Sequence, residues 1–180
     1  MGKATQDLMH EHEAILYVLE ILEKAMADDT KDSGSLLKFY DELVQFLKIF
    51  ADKCHHGKEE GFLFPELVKR GVGVEGGPIG EMLEEHHIGR EYIAQMNKAG
   101  DAADIKELNL TASKYRDLLI SHIEKENDVL FVMADVLLDA QTQDELFEKF
   151  EEHEESVVGH GVHEKLHAMI DTWAEEFAVE

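Results

Sequence analysis

Apolar residues recur every three or four positions along four long stretches of the chain, a period typical of amphipathic helices. The predicted helices cover about residues 5–26, 35–69, 78–97 and 105–138. Turn-forming segments separate them, with the sequences DDTKDSGS, RGVGVEGGPIG and KAGDAADI. Pro65 is expected to kink or end the second helix, because proline lacks the N–H that a helix interior requires.

Two shorter helices are predicted after residue 138. The first opens at TQDE, residues 142–145, which matches a capping box with Thr142 as the N-cap and Glu145 reaching back to it. The second covers about 162–177 and follows the chain break GHG. The pattern predicts an all-α fold, an up-down-up-down four-helix bundle over about 5–138 with an appended C-terminal helical hairpin over about 142–178. No linker divides the chain, so residues 1–180 are expected to form a single domain.

Charge and cysteine content narrow the possible partners and compartment. The formal net charge is −23, which makes nucleic acids and anionic membranes unfavourable partners. No apolar run approaches the ~20 residues of a membrane span, and the start, MGKATQDLMHEHE, has no apolar signal region. The single cysteine, Cys54, cannot form an internal disulfide and suits a reducing compartment. A cytoplasmic protein is expected.

Several of the 11 histidines fall on the apolar faces of the predicted helices. At about 100° per residue, His12 lies near the centre of the first apolar face. On the third helix His86 lies near the middle of the apolar face and His87 at its edge. On the fourth helix His122 and Glu126 both lie on the centre line.

The second helix carries two overlapping copies of one motif, in the segment CHHGKEEGFLFP at residues 54–65. His55 and Glu59 form one pair at i, i+4, and His56 and Glu60 form the other. Counting from the apolar residues before and after the motif places His56 and Glu60 on the inner side. His55 and Glu59 are then predicted on the far face.

Inward histidines and glutamates on four helices predict a metal site in the bundle. A single histidine of this kind is more often an ordinary core residue. Two buried carboxylates, however, are costly without a cation, and the alternative of a buried ion-pair network requires inward lysine or arginine, for which only Arg90 is a clear candidate. His and Glu at i, i+4 share a helix face and can hold one metal ion, and imidazole with carboxylate suits first-row metals.

The combination of these motifs resembles the hemerythrin-like, or HHE cation-binding, domains. The matching segments are His12 in HEHE, then CHHGKEEGFLFP, EEHHIGRE and HIEKEN, in an order and spacing that span most of residues 5–138. The resemblance implies an up-down four-helix bundle around a carboxylate-bridged pair of non-heme irons. Its implied ligands are His12, His56, Glu60, His86, His122 and Glu126, with the two glutamates as bridges.

The chain departs from the oxygen-carrying hemerythrins at two places. Arg90 stands where those proteins have a further histidine, and the fourth helix has HxxxE where they have HxxxxD. The pattern is closer to branches of the family implicated in iron or oxygen sensing, peroxide handling, and repair of nitric-oxide-damaged iron–sulfur proteins. Three functions follow from the resemblance: binding of dioxygen or nitric oxide, a redox enzyme acting on peroxide or nitric oxide, or an iron store, donor or sensor acting through a protein partner.

A different metal motif lies near the C-terminus. HEKLH at residues 163–167 matches the zinc-hydrolase motif HExxH, in which His163 and His167 would bind zinc and Glu164 would act as the base. A third ligand would have to come from the 13 remaining residues, where Glu175, Glu176 and Glu180 are the candidates. The apolar stripe of this helix favours packing on the bundle instead, with His160, His163 and His167 beside it as possible surface metal ligands or partner contacts.

Overall fold

The computed structural model describes residues 1–159 and 161–179, of which 85% are helical and none is in a strand. Six helices follow one another in these residues. They are α1 (Lys3–Ala27), α2 (residues 33–69), α3 (Pro78–Asp101), α4 (residues 105–137), α5 (Ala140–Val157) and α6 (Val162–Glu176). The six predicted helices are therefore present, with ends that differ by a few residues. None of the described helices is both long and apolar enough to cross a membrane.

Two of the helices contain segments of π-helix. In α2, Ser33–Phe46 is α-helical, Leu47–His56 and Glu59–Leu63 are π-helical, and Phe64–Lys69 is α-helical again. In α4, the π segment Glu126–Leu130 separates Ile105–Lys125 from Phe131–Leu137. A π turn closes with i→i+5 hydrogen bonds, as from the N–H of Phe64 to the carbonyl of Glu59.

Aspartates cap the starts of α2, α4 and α5, and the one at α5 replaces the predicted cap. Asp139 accepts a hydrogen bond from the Thr142 N–H at 2.9 Å and is the N-cap of α5. The prediction that Thr142 is the cap is therefore wrong, because the aspartate three residues earlier satisfies the free N–H groups first. Pro65 does not end α2 either. The helix continues through it to Lys69, and Pro65 lies at the junction where the π segment Glu59–Leu63 changes to α-helix.

The apolar core consists of two clusters, one on each side of a polar centre. On α1, Leu8 belongs to one cluster and Ile15 to the other, with His12 between them. Each of the other long helices also has one part in each cluster. On α3 the boundary lies between Met82 and Ile93. Each long helix therefore brings polar side chains to one level, with an apolar cluster above and below.

The last two helices pack on these same clusters. Phe150 of α5 is completely buried in the cluster that holds Leu8, and Trp173 of α6 is 1% exposed in the other. The indole N–H of Trp173 donates to Glu42 of α2 at 3.0 Å. The C-terminal helices therefore complete the core around the four long helices.

Candidate metal centre

Seven buried side chains meet at the level where the two apolar clusters separate. Five are imidazoles and two are carboxylates, and none is more than 4% exposed. The side chains are His12 from α1, His55, His56 and Glu59 from α2, His86 from α3, and His122 and Glu126 from α4. All four long helices therefore contribute to one polar centre.

The seven side chains form two groups that share one carboxylate. The ligating atoms of His56, Glu59, His86 and His122 lie within 4.8 Å of one another. A second group with the same compactness consists of His12, His55, Glu59 and Glu126. Because Glu59 belongs to both groups, its carboxylate lies where it could join two metal ions.

The two carboxylates lie between imidazoles of different helices. One oxygen of Glu59 is 3.4 Å from His55 Nε2 and the other is 3.4 Å from His86 Nε2. The Glu126 Oε2 atom is 3.2 Å from His12 Nε2 and 3.3 Å from His122 Nε2. No oxygen of either carboxylate has a hydrogen-bond partner of good geometry in the described chain. Within residues 1–159 and 161–179, no lysine or arginine forms an ion pair with the carboxylate of Glu59 or of Glu126.

Outer polar groups orient four of the five imidazole rings. In each of these rings Nδ1 faces an oxygen at 2.7–2.9 Å: His12 faces Asn127, His55 faces Glu11, His86 faces Glu60, and His122 faces Glu85. The Nε2 atoms then point to the centre, where those of His12 and His55 lie 2.9 Å apart. Those of His86 and His122 lie 3.2 Å apart. Holding Nδ1 in this way fixes the ring and leaves the Nε2 lone pair for a metal.

In α2 the predicted orientation is wrong for three of the four side chains of the HxxxE pairs. Glu60 was predicted to face inward, and His55 and Glu59 were predicted to face outward. Glu59 is completely buried and His55 is 1% exposed, whereas the Glu60 side chain is 30% exposed. Glu60 accepts a hydrogen bond from His86 Nδ1 instead of facing the centre. Only His56 of the predicted pair lies among the seven central side chains.

The π segments of α2 explain the error. The prediction assumed about 100° of rotation per residue, but a π turn is wider and rotates less per residue. The helical phase set by the apolar residues before the motif is therefore lost across residues 47–63. Smaller rotation also lets His55 and His56, which are adjacent in sequence, both face inward. The second, overlapping HxxxE motif was the sequence signal for Glu59.

Histidine and glutamate positions on the other helices agree with the predicted orientations. His12, His86 and His122 are each 1% exposed, and Glu126 is completely buried. His87 lies at the surface near Glu91, at 3.5 Å. Periodicity placed these side chains correctly because α1, α3 and the first part of α4 are regular α-helices.

Three cations hold the outer carboxylates around the centre. Lys58 donates to Glu11 at 2.7 Å, Arg90 donates to Glu60 at 2.7 Å, and Lys125 donates to Glu85. In each case a cation bonds to a carboxylate that in turn bonds to an imidazole. These three relays end at His55, His86 and His122. Lys58, which the sequence did not identify as inward, is 1% exposed. Its neighbours Asp7, Glu11 and Glu154 come from distant parts of the chain.

Burial and charge perturb the acid–base behaviour of the central groups. Burial alone lowers the pKa of His122, but the charge and close contact of Glu126 and a hydrogen bond to Glu85 raise it to about 10. Burial raises the pKa of Glu126, yet the charge of His122 and the close contacts with His12 and His122 hold it well below its usual value. Burial and the charges of neighbouring histidines lower the pKa of His56. Without a metal, imidazolium groups therefore neutralise the buried carboxylates.

The donor set fits a pair of first-row metal ions. Four buried carboxylate oxygens lack hydrogen-bond partners, and two pairs of Nε2 atoms converge on each other. Such groups are costly in a protein interior, but each supplies the lone pair that a cation needs. Imidazole with carboxylate is the ligand combination of iron, zinc and related metals. The buried ion-pair alternative does not account for Glu59 and Glu126, since Lys58 and Arg90 bond only to outer carboxylates.

The other candidate groups have different surroundings. Glu11, Cys54 and Glu154 could also hold a metal, but the ammonium of Lys58 already bonds to both of these carboxylates. The Cys54 side chain is completely buried, as expected for a small core residue, and burial raises the pKa of its thiol.

The HEKLH motif lies on α6 outside the central site. His163 and His167 approach each other there, but no third His, Cys, Asp or Glu joins them in a metal-binding group among the described residues. Glu176 instead pairs with Lys31 at 3.3 Å. His160 and Glu180 lie outside the described residues.

Comparison with known proteins identifies one family. The model of the hemerythrin HHE cation-binding domain matches residues 3–134, about three-quarters of the chain. No curated protein and no solved structure matches significantly. The matched residues include all seven central side chains and end before α5 begins.

Proposed function

We propose that this chain, which belongs to the hemerythrin HHE cation-binding domain family, is a non-heme diiron protein that binds or reacts with dioxygen, peroxide or nitric oxide. Family membership indicates a metal-binding protein, and iron is the typical metal. The proposed scaffold is an up-down-up-down four-helix bundle with α5 and α6 as an appended hairpin. The observation that carries the proposal is the shared carboxylate of Glu59, whose two oxygens face the two separate groups of imidazoles.

The proposed ligands differ from those expected by sequence because Glu59 replaces Glu60 and His55 is added. One iron is assigned to the group of His56, His86 and His122, and the other to the group of His12 and His55. Glu59 and Glu126 are assigned as bridges, because each carboxylate lies near imidazoles of both groups. Glu60 is assigned to orienting His86, not to binding metal.

Two irons held by such ligands supply redox equivalents and open coordination positions for a small molecule. The chain provides an apolar surrounding for them. The ring of Phe131 stacks on His12 with centroids 5.3 Å apart, and Phe64 stacks on His86 at 5.9 Å. These rings exclude bulk water from the two groups.

The two groups are unequal, which favours binding of the small molecule on one side. The first has three imidazoles and the second has two. The second group, with His12 and His55, therefore leaves more of its metal free of protein nitrogen. Behind His55 the relay continues through Glu11 to the buried ammonium of Lys58, which holds Glu11 in its ionised state. Burial alone would raise the pKa of Glu11, but bonds from His55 and Lys58 lower it to about 2.

An iron store, donor or sensor acting through a protein partner is the second candidate function. The same ligand set would hold iron in that case, and the two functions differ in what happens after loading. Rapid spectral change on adding dioxygen, peroxide or nitric oxide to the reduced protein supports the first function. Stable iron without such a change, together with release to a chelator, supports the second.

Iron content tests the ligand assignment directly. Anaerobically reconstituted wild-type protein is expected to hold about two irons per chain, as a diiron site of a helical bundle requires. Glu59→Gln is expected to lose most of the iron. Glu60→Gln is the matched control, since it changes the neighbouring carboxylate of the same motif, and it should retain both irons with affinity lowered by about 10–100-fold. Greater iron loss in Glu60→Gln than in Glu59→Gln would refute the assignment, and a wild-type content near one iron would refute the diiron centre.

A further inference from the structure

Two imidazoles on α6 face each other outside the central site. The Nε2 atoms of His163 and His167 lie 2.8 Å apart. The residues are one helical turn apart, so both rings project from the same face of the helix. The His163 side chain is 37% exposed and His167 is also exposed, so solvent and dissolved ions reach both rings.

Neighbouring side chains surround the two rings. Glu154 of α5 places a carboxylate oxygen 2.6 Å from His163 Nδ1, an ion-pair contact without the geometry of a hydrogen bond, and the opposite nitrogen of the ring lies toward His167. The edge of the Phe50 ring packs against both imidazoles, with centroids 5.9 Å from His163 and 6.5 Å from His167. A carboxylate beside one ring nitrogen, with the other ring nitrogen turned to the ligand position, is the arrangement that orients histidines in metal sites.

The distance between the two ring nitrogens suits a metal. Two imidazole nitrogens bound to one ion at about 2.0–2.1 Å lie about 3 Å apart, so small rotations of the rings from 2.8 Å are sufficient.

We propose that His163 and His167 form a second, peripheral binding site for a divalent transition metal of the zinc type. Glu154 orients His163, and water completes the coordination of the ion. In the described part of the chain no third protein ligand joins the pair, so the site binds a metal without the closed coordination of a structural zinc site. It lies on helices beyond the matched residues 3–134 and is distinct from the central site.

The carboxylate of Glu154 also links this site to the interior. Its second oxygen accepts a hydrogen bond from Lys58 at 3.2 Å, and Lys58 in turn bonds to Glu11. Glu11 faces Nδ1 of His55 at 2.8 Å. The peripheral pair is therefore joined to the central site by a continuous chain of polar contacts, and Glu154 is held from both sides.

Zinc titration of the iron-loaded full chain tests the proposal. Isothermal titration calorimetry of wild type should show a single additional zinc per chain, with no loss of iron. His167→Gln should lower zinc affinity by about tenfold or more, and Glu154→Gln by about 10–100-fold, as for groups that orient a ligand. His87→Gln is the matched control, because it removes an exposed histidine that lies beside a glutamate at i, i+4, and it should leave zinc binding unchanged. Equal losses in His87→Gln and His167→Gln, or zinc uptake only with release of iron, would overturn the proposal.

X-ray absorption at the zinc edge gives a readout that needs no variant. Zinc added to the iron-loaded wild type should have two imidazoles and oxygen ligands in its coordination sphere. A spectrum with one imidazole or none, or with the larger number that the central site offers, would contradict the assignment to His163 and His167. Because iron content is measured in the same sample, failure of this site is distinguishable from failure of the diiron proposal.

Discussion

Lys58 donates a hydrogen bond to Glu11 at 2.7 Å although the two side chains are only 1% and 6% exposed. The charge of the ammonium is matched by three carboxylates, those of Asp7, Glu11 and Glu154. Burial lowers the pKa of Lys58, but Glu11 and Asp7 more than offset this and raise it. The lysine is therefore a charged part of the interior that links α1, α2 and α5.

Replacing Lys58 by methionine should destabilise the iron-free protein by about 3 kcal/mol at neutral pH, because a buried carboxylate loses its cation. Urea unfolding followed by circular dichroism measures the change. Lys69→Met is the matched control, since Lys69 is 69% exposed and pairs with Glu66 at 2.8 Å; its effect should stay below about 1 kcal/mol. Similar effects of the two substitutions would show that the buried network does not stabilise the fold.

Iron binding should release protons. His122 has a pKa of about 10 in the iron-free fold, against an ordinary value near 6.5. Its protonation therefore stabilises the iron-free protein below about pH 6.5, and that contribution is lost as pH rises through about 10. At pH 8 the folded protein carries this proton and iron must displace it.

Calorimetry of iron binding at pH 8 in buffers with different ionisation enthalpies measures the release. At least about one proton per chain is expected to leave, as displacement from a histidine ligand requires. The released number should fall as the starting pH is raised toward 10. Binding heats that are independent of the buffer would contradict a protonated histidine at the centre.

Iron should raise the melting temperature through the two buried carboxylates. A metal present at about 100 times its dissociation constant adds about 2.7 kcal/mol, or about 5–10 °C for a chain of this size. The double substitution Glu59→Gln and Glu126→Gln should abolish this rise. Glu13→Gln with Glu91→Gln is the control, since both carboxylates lie at the surface beside a histidine. Thermal melts with and without ferrous iron measure the rise. The same rise in both double variants would show that iron does not bind to Glu59 and Glu126.

Two glycines in the motif of α2 should respond in opposite directions to alanine. A Cβ at Gly57 would lie 2.6 Å from His153 Nε2, whereas a Cβ at Gly61 would have no atom within 4 Å. Gly57→Ala is therefore expected to cost about 1–3 kcal/mol, as overpacking does. Gly61→Ala should stabilise by about 0.4–1 kcal/mol by restricting the unfolded chain. Chemical denaturation of both variants checks the difference in sign, and a loss of stability at Gly61 would contradict the open space around it.

Local patterns in the sequence determined the helices and most of the buried polar side chains. Apolar periodicity and turn residues depend on neighbours within one or two turns, and they located all six helices. They also placed His12, His86, His122 and Glu126 inside, because the three histidines lie on regular α-helical turns and Glu126 comes directly after one, at the start of a π segment. Order and spacing of the same residues indicated the family that the family model identifies. The roles of these residues as ligands stay a prediction.

Tertiary structure alone decided which glutamate of α2 lies at the centre and what surrounds it. Glu59 replaces Glu60 because π turns change the rotation per residue, and the apolar pattern of the sequence does not reveal where such turns begin and end. Lys58 is inside because Asp7, Glu11 and Glu154 approach it from α1 and α5, which lie far away in the chain. Burying a charge is favourable only when its partners are in place, and a sequence pattern read one helix at a time does not contain partners from other helices.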